Sequence, residues 1–181
     1  LMSLGFILDT DTPVIWRGPM VMKAIEQMLG DVDWLALDFL VLDMPPGTGD
    51  AQLSVIQKIS VAGAVIVSTP QDVALVDARK GLAMFRKMNV PVLGLVENMS
   101  TFVCPKCGHE THVFRSGGGE RTARELETPV LGSVPLDAAI AEGGDAGIPI
   151  VIADPKGPHA AAFARIAAAV AAAVAAQPAR N

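Results

Sequence analysis

Four short apolar runs constrain this chain more than anything else in it: "FLVLD" (39–43), "GAVIVST" (63–69), "VPVLGLVEN" (90–98) and "PVLGSVP" (129–135). Each is rich in β-branched residues, ends in turn residues and is apolar on both faces. That is the pattern of strands in a parallel sheet covered on both sides. "SLGFIL" (3–8) reads as a weaker fifth strand. Helical patterns lie between the runs at 19–29, where Pro19 suits a first turn, at 51–60, at 73–88 and, more briefly, near 119–127. From about Pro158 the tail repeats Phe163, Ile166, Val170 and Val174 every three or four positions, the stripe of a helix with a packing face. The alternation predicts an α/β fold. Its sheet is mostly parallel, its crossovers right-handed and its helices flanking, over residues 1–181 as a single domain.

A length of 181 residues with 51% apolar and 18% charged side chains is that of a globular chain with a substantial core. The net charge of −5 argues against a nucleic-acid binder, which needs a basic footprint. The opening "LMSLGFILDTDTP" lacks the basic start and small-residue cleavage site of a signal peptide. The alanine-rich "AAAFARIAAAVAAAVAA" is weakly apolar and carries Arg165, so no membrane segment is expected and a cytoplasmic location is. No internal repeat is visible.

The stretch from about 100 to 119 differs in kind and reads as an inserted loop. It holds both cysteines, Cys104 and Cys107, two of the three histidines, His109 and His112, and the triplet Gly117-Gly118-Gly119. Two cysteines are too few for a disulfide framework, and Cys-x-x-Cys is a spacing that grips one metal ion from a tight turn. Two arrangements are open. Cys104, Cys107, His109 and His112 could supply four ligands to one zinc ion within a chain, making a zinc-stabilised structural or interaction domain. Alternatively, a two-fold axis could bring together two copies of the cysteine pair, and four thiolates suit zinc or an iron–sulfur cluster. A reduced, idle dithiol is the bland third possibility. A thioredoxin-like redox pair fits less well, because the motif does not open a helix near the start of a βαβ unit.

A second constellation is "LVLDMPPGTGD", an apolar run ending in Asp43 and followed by a glycine-rich turn. A strand-end aspartate can hold magnesium through water and a glycine amide can approach a phosphate; equally, Asp50 could simply cap helix 51–60. A phosphate loop of the Gly-Lys-Ser/Thr kind is not present: no glycine in the 181 residues is directly followed by lysine. The chain opens on Leu1 and is expected to be the latter part of a longer protein, its fold incomplete at the amino terminus.

Together and in this order, "VIWRGPM" (14–20), "DMPPGTGD" (43–50), "VSTPQDVALVDARKG" (67–81), "LVENMSTFVCPKCG" (95–108), "GGGE" (117–120) and "LGSVPLD" (131–137) resemble one family. It is the Mrp/ApbC group of iron–sulfur cluster carriers, within the MinD-like class of deviant-P-loop ATPases. The resemblance implies a homodimer that holds a labile [4Fe–4S] cluster between subunits and hands it to apo iron–sulfur proteins, with Mg-ATP bound in the intact family. Under it, Cys104 and Cys107 are the cluster ligands, Asp43 the acid near magnesium and Gly47 the amide near the terminal phosphate. Asn98, Pro135 and Asp137 border the adenine. The family's lysine-bearing phosphate loop and first switch aspartate have no counterpart here, and Arg115 stands where relatives often have glycine. A MinD-type partition ATPase is a further alternative, but it has no need of the Cys-x-x-Cys loop.

Overall fold

The structure is a computed structural model describing residues 1–6, 18–45, 47, 49–114 and 118–177. Residues 14–17 of the "VIWRGPM" segment, together with Arg115 and Gly117, lie outside the described residues. The chain divides into two compact units, Leu1–Ser60 and Val61–Asn181.

In the first unit, helices α1 (Gly18–Gly30) and α2 (Asp50–Lys58) pack together and are tied by the Lys58–Glu26 ion pair at 2.8 Å. Gly49, with extended backbone, takes the N-cap position of α2, so Asp50 is inside the helix instead of capping it. Leu4–Phe6 forms one 3-10 turn, closed by the Phe6 N–H on the Ser3 carbonyl at 3.1 Å, where a weak strand was expected over 3–8. The expected strand 39–43 is also not formed. Phe39 and Val41 are 56% and 86% exposed, and no strand pairs with this run among the described residues. The physical reason is that a parallel strand leaves its amides and carbonyls unsatisfied until a neighbour accepts them. Apolar β-branched composition records a preference for that setting but does not provide the neighbour.

The second unit holds the sheet. Strands β1 (Ala64–Ser68) and β4 (Val130–Leu136) run parallel to β2 (Val92–Val103) on either side of it. The short β3 (Glu110–Thr111) pairs antiparallel with the far end of β2, so the sheet is mixed, with helices flanking it. β2 is longer than its apolar run because it carries on past Met99, whose φ of 55° puts a left-handed step into the strand. β1 ends opposite Glu97, and beyond that point β3 takes up pairing, Phe102 opposite Thr111 and Val103 opposite Glu110.

Helix α3 (Asp72–Lys87) buries Leu75, Ala78 and Leu82, one helical face at i, i+3 and i+7, against this sheet. Ile66, Ala78, Leu82 and Leu95 form the core, with Phe85, Val92 and Leu126 packed around it. Leu82 is 1% exposed, so Leu82→Ala is expected to lower unfolding stability by about 3 kcal/mol, measured as a shift in urea midpoint. Helices α4 (Gly118–Glu125), α5 (Ala138–Asp145), α6 (Ile150–Ala153) and α7 (Pro158–Ala175) complete the unit. By length and mean hydropathy (1.5) α7 could cross a bilayer, and 11% of it is buried, but it packs on β4 and β2. Ile166 sits where a Cβ on Gly132 of β4 would collide with it, at 2.6 Å.

Candidate functional site

The metal-type residues are presented at the tip of a β-hairpin. The hairpin's outgoing strand is the part of β2 after Met99 and its return strand is β3. At its base, Ser100 is buried, its hydroxyl donates to the Val134 carbonyl at 3.2 Å, and its own carbonyl lies 3.4 Å from Nδ1 of His112. The reading of 100–119 as a loop is thus corrected: polar residues in this strand are accommodated because β3 and β4 satisfy their backbone.

At the tip, the Cys104 N–H donates to the His109 carbonyl at 2.9 Å, and the Gly108 N–H donates to the Cys104 carbonyl at 2.8 Å. Gly108 has a φ of 70°, a left-handed conformation that glycine adopts without strain and that a residue with a Cβ resists. This tight turn folds the chain back over the first sulfur. The backbone amide of Lys106 donates to the Cys104 thiol, followed in effect by the amide of Cys107 and the Cys107 side chain. These donors hold the Cys104 pKa below the ordinary thiol value, against a small opposing effect of desolvation. Two amides aimed at one sulfur stabilise a thiolate, the form that binds metal. Cys104 is half-buried and Cys107 exposed.

Among the described residues, no group of three or more His, Cys, Asp or Glu side chains is placed to hold a metal ion. The structure does not bring Cys104, Cys107, His109 and His112 together as a one-chain zinc site would need. The reason is geometric: His112 is turned toward the Ser100 carbonyl at the base of the hairpin, and His109 is exposed and contributes its carbonyl to the turn. What the chain brings together is one pair of thiols, Cys104 and Cys107.

The remaining sequence candidates fall into both units. Asp43 is exposed and lies in irregular chain, not at a strand end. Gly47 has a φ of 96°, and its carbonyl and that of Pro45 both accept from Nε2 of Gln52, at 2.9 and 2.6 Å. Gln52 is buried, one turn into α2, and it fixes the glycine-rich turn; sequence reading passed over it. The available signal was its place three residues after the capping Gly49, where a Gln side chain folds back toward the chain entering the helix. Gln52→Ala is expected to leave α2 folded while the Leu53 amide, which donates to the Gly49 carbonyl, exchanges with solvent about fivefold faster, the factor that losing one hydrogen bond predicts. Backbone hydrogen exchange measures it, and unchanged rates would contradict the assignment.

In the second unit, Asn98 accepts the Met99 N–H on its own Oδ1 at 3.0 Å, bracing the left-handed step. Pro135 lies in β4. Asp137 is the N-cap of α5, with Oδ1 accepting from the Ala139 N–H at 2.8 Å, while Oδ2 lies 3.2 Å from Nε2 of His159. Both of its oxygens are engaged within the protein.

Residues 1–171 match the family described as ParA, NUBPL iron-transfer P-loop NTPase. The chain belongs to this family. The iron–sulfur cluster transfer protein NUBPL of Mus musculus is 57% identical to the chain over 169 residues, covering 93% of the chain and 53% of the mouse protein. An iron–sulfur cluster carrier protein of Escherichia coli K12 is 50% identical over 170 residues, covering 94% of the chain and 46% of the relative. The chain thus spans about half the length of the curated relatives it matches. Among solved structures, a nucleotide-binding protein of Archaeoglobus fulgidus in complex with ADP superposes with a TM-score of 0.63. Its identity is 40%, covering 71% of the chain and 53% of the relative. The cell-division ATPase MinD of Pyrococcus furiosus gives 0.61 at 26% identity, covering 86% and 59%.

Membership of the NUBPL iron-transfer family makes sense of the tip. Thiolates are soft ligands of the kind that iron–sulfur clusters take. The MinD-like neighbours agree with the mixed sheet and its flanking helices.

Proposed function

We propose that this chain carries an iron–sulfur cluster, [4Fe–4S] in form, bound between two copies through Cys104 and Cys107 of each. The observation that carries the reading is the two-thiolate turn with no third ligand in reach among the described residues. Four-coordinate cluster binding needs four thiolates, and a two-fold axis doubles the pair without further sequence. Met99, Val103 and Val113 are 36%, 47% and 49% exposed around the hairpin, apolar surface that a second copy would cover.

Transfer is ligand exchange. Thiolates of an apo iron–sulfur acceptor replace Cys104 and Cys107 on iron, and the displaced thiolates pick up the protons that the incoming thiols release. No electrons change hands. The amides of Lys106 and Cys107 stabilise Cys104 as it leaves, which favours release over tight retention. Zinc is a competing cargo in air, since the same thiolates accept it. Binding of Mg-ATP belongs to the full-length proteins of the family. In this chain Gly47 presents a left-handed turn suited to a phosphate contact, whereas each carboxylate oxygen of Asp137 already has a partner within the protein. The protein operates in the cytoplasm in this reading.

The experiment is anaerobic reconstitution with iron and sulfide, followed by incubation with the apo form of a [4Fe–4S] dehydratase. The expected result is return of dehydratase activity in step with loss of the carrier's visible absorption. Activity returning at the same rate with free iron and sulfide alone would remove the carrier role.

A further inference from the structure

The two described members of the glycine triplet explain themselves by their neighbours. Gly118 and Gly119 are buried at the start of α4. A Cβ on Gly118 would stand 2.6 Å from the Pro70 carbonyl oxygen, and one on Gly119 would run into the Glu97 carboxylate. The room left by glycine is used: Oε2 of Glu97 accepts the Gly119 N–H at 2.5 Å. A carboxylate at this end of a helix also meets the positive pole of the backbone dipoles. Glu97 stands on β2 two residues before the left-handed step at Met99, where the metal hairpin departs, and α4 is the element that follows the hairpin.

We infer that Glu97 is the positioning residue of the Cys104–Cys107 site, clamping the start of α4 to the strand from which the hairpin departs. This rests on the reading of the cysteine pair as a metal site. With the helix that follows the hairpin tied to the strand that leads into it, fewer orientations of its tip remain, and a site shared between two copies needs its two halves presented in one orientation. Losing the clamp widens that ensemble, and the entropy of narrowing it again on binding appears as weaker metal affinity. The opposite end of α4 supplies the control. There Arg86 donates to the Leu126 carbonyl, securing the helix without touching the hairpin.

The test is titration of the reduced chain with cobalt(II), read by the thiolate-to-cobalt and ligand-field absorption bands, alongside thermal unfolding of each variant. Glu97→Ala is expected to bind cobalt about tenfold more weakly, the factor given by losing one hydrogen bond to a charged group, with altered ligand-field bands. Glu97→Gln, which keeps an acceptor oxygen, is expected within threefold of wild type by the same reasoning. Arg86→Ala is expected to melt earlier yet bind within about twofold, since it lies outside the hairpin's attachment. Should Glu97→Ala be insoluble, Glu97→Asp, one methylene short of Gly119, replaces it with the same expectation. Equal cobalt affinity in Glu97→Ala and wild type overturns the clamp alone, and so does equal weakening by Arg86→Ala. A wild-type chain that takes up no cobalt at its thiols overturns the metal reading and the clamp with it.

Discussion

Replacing either cysteine by alanine is expected to abolish cluster binding outright, while Cys104 and Cys107 intact should yield one cluster per two chains. The two-fold argument sets the stoichiometry: two thiolates per chain and four needed per cluster. Removing one sulfur from each chain leaves two thiolates across the axis, and water in their place gives iron no comparable hold. The loss is therefore near complete. His109→Ala together with His112→Ala is expected to retain the cluster, because His112 faces the Ser100 carbonyl and His109 lends only its backbone to the turn. Iron and sulfide analysis, with light scattering for mass, distinguishes the outcomes. One metal per monomeric chain, lost in the double histidine variant, would restore the single-chain zinc site.

The ionisation of Cys104 carries its own expectation. Its pKa is lowered in the folded protein because backbone amides of Lys106 and Cys107 stabilise the thiolate. A depressed folded pKa favours the folded state above the unfolded value and loses that contribution as pH falls through the folded one. Alkylation of Cys104 by iodoacetamide should accordingly reach half its maximal rate below the pH at which it does so in urea. Identical profiles in the two conditions would mean that the amide donors do not act on the sulfur.

The sequence was a good guide where burial decides the outcome. β1, β2 and β4 lie within or across their apolar runs because strands covered on both faces must be apolar on both faces. The run 39–43 has the same composition and does not form a strand, because composition cannot say which neighbour completes the ladder. The hairpin escaped notice for the converse reason. Its return strand is only two polar residues long, and the strand leading into it carries a left-handed step at Met99. The cysteine pair was legible from residue identity and spacing. The ligand count was not, since whether His112 turns inward or toward Ser100 depends on the pairing of β2 with β3. Glu97 and Gly119 are 22 positions apart and chemically ordinary, so only the fold brings them together.

The 181 residues taken alone are expected to bind Mg-ATP with a dissociation constant no tighter than roughly 1 mM, an affinity of about 4 kcal/mol. A triphosphate is held chiefly by a run of backbone amides and a lysine converging on its oxygens, in a loop opening a helix. No glycine of this chain is directly followed by lysine. Gly47 has a left-handed conformation, but its carbonyl and that of Pro45 are tied to Gln52, and no lysine is among the residues of that contact. Asp43, exposed and negative, repels phosphate unless a metal ion stands between them. Asp137 spends its oxygens on the Ala139 amide and on His159. A chimera supplying the remaining length of the mouse relative, of which this chain covers 53%, is expected to gain at least 100-fold in affinity, about 2.8 kcal/mol. Calorimetric titration of both proteins decides it. Micromolar affinity in the chain alone would show that a lysine-bearing phosphate loop is not needed to hold a nucleotide here. No gain in the chimera would mean that the missing field is not what limits binding.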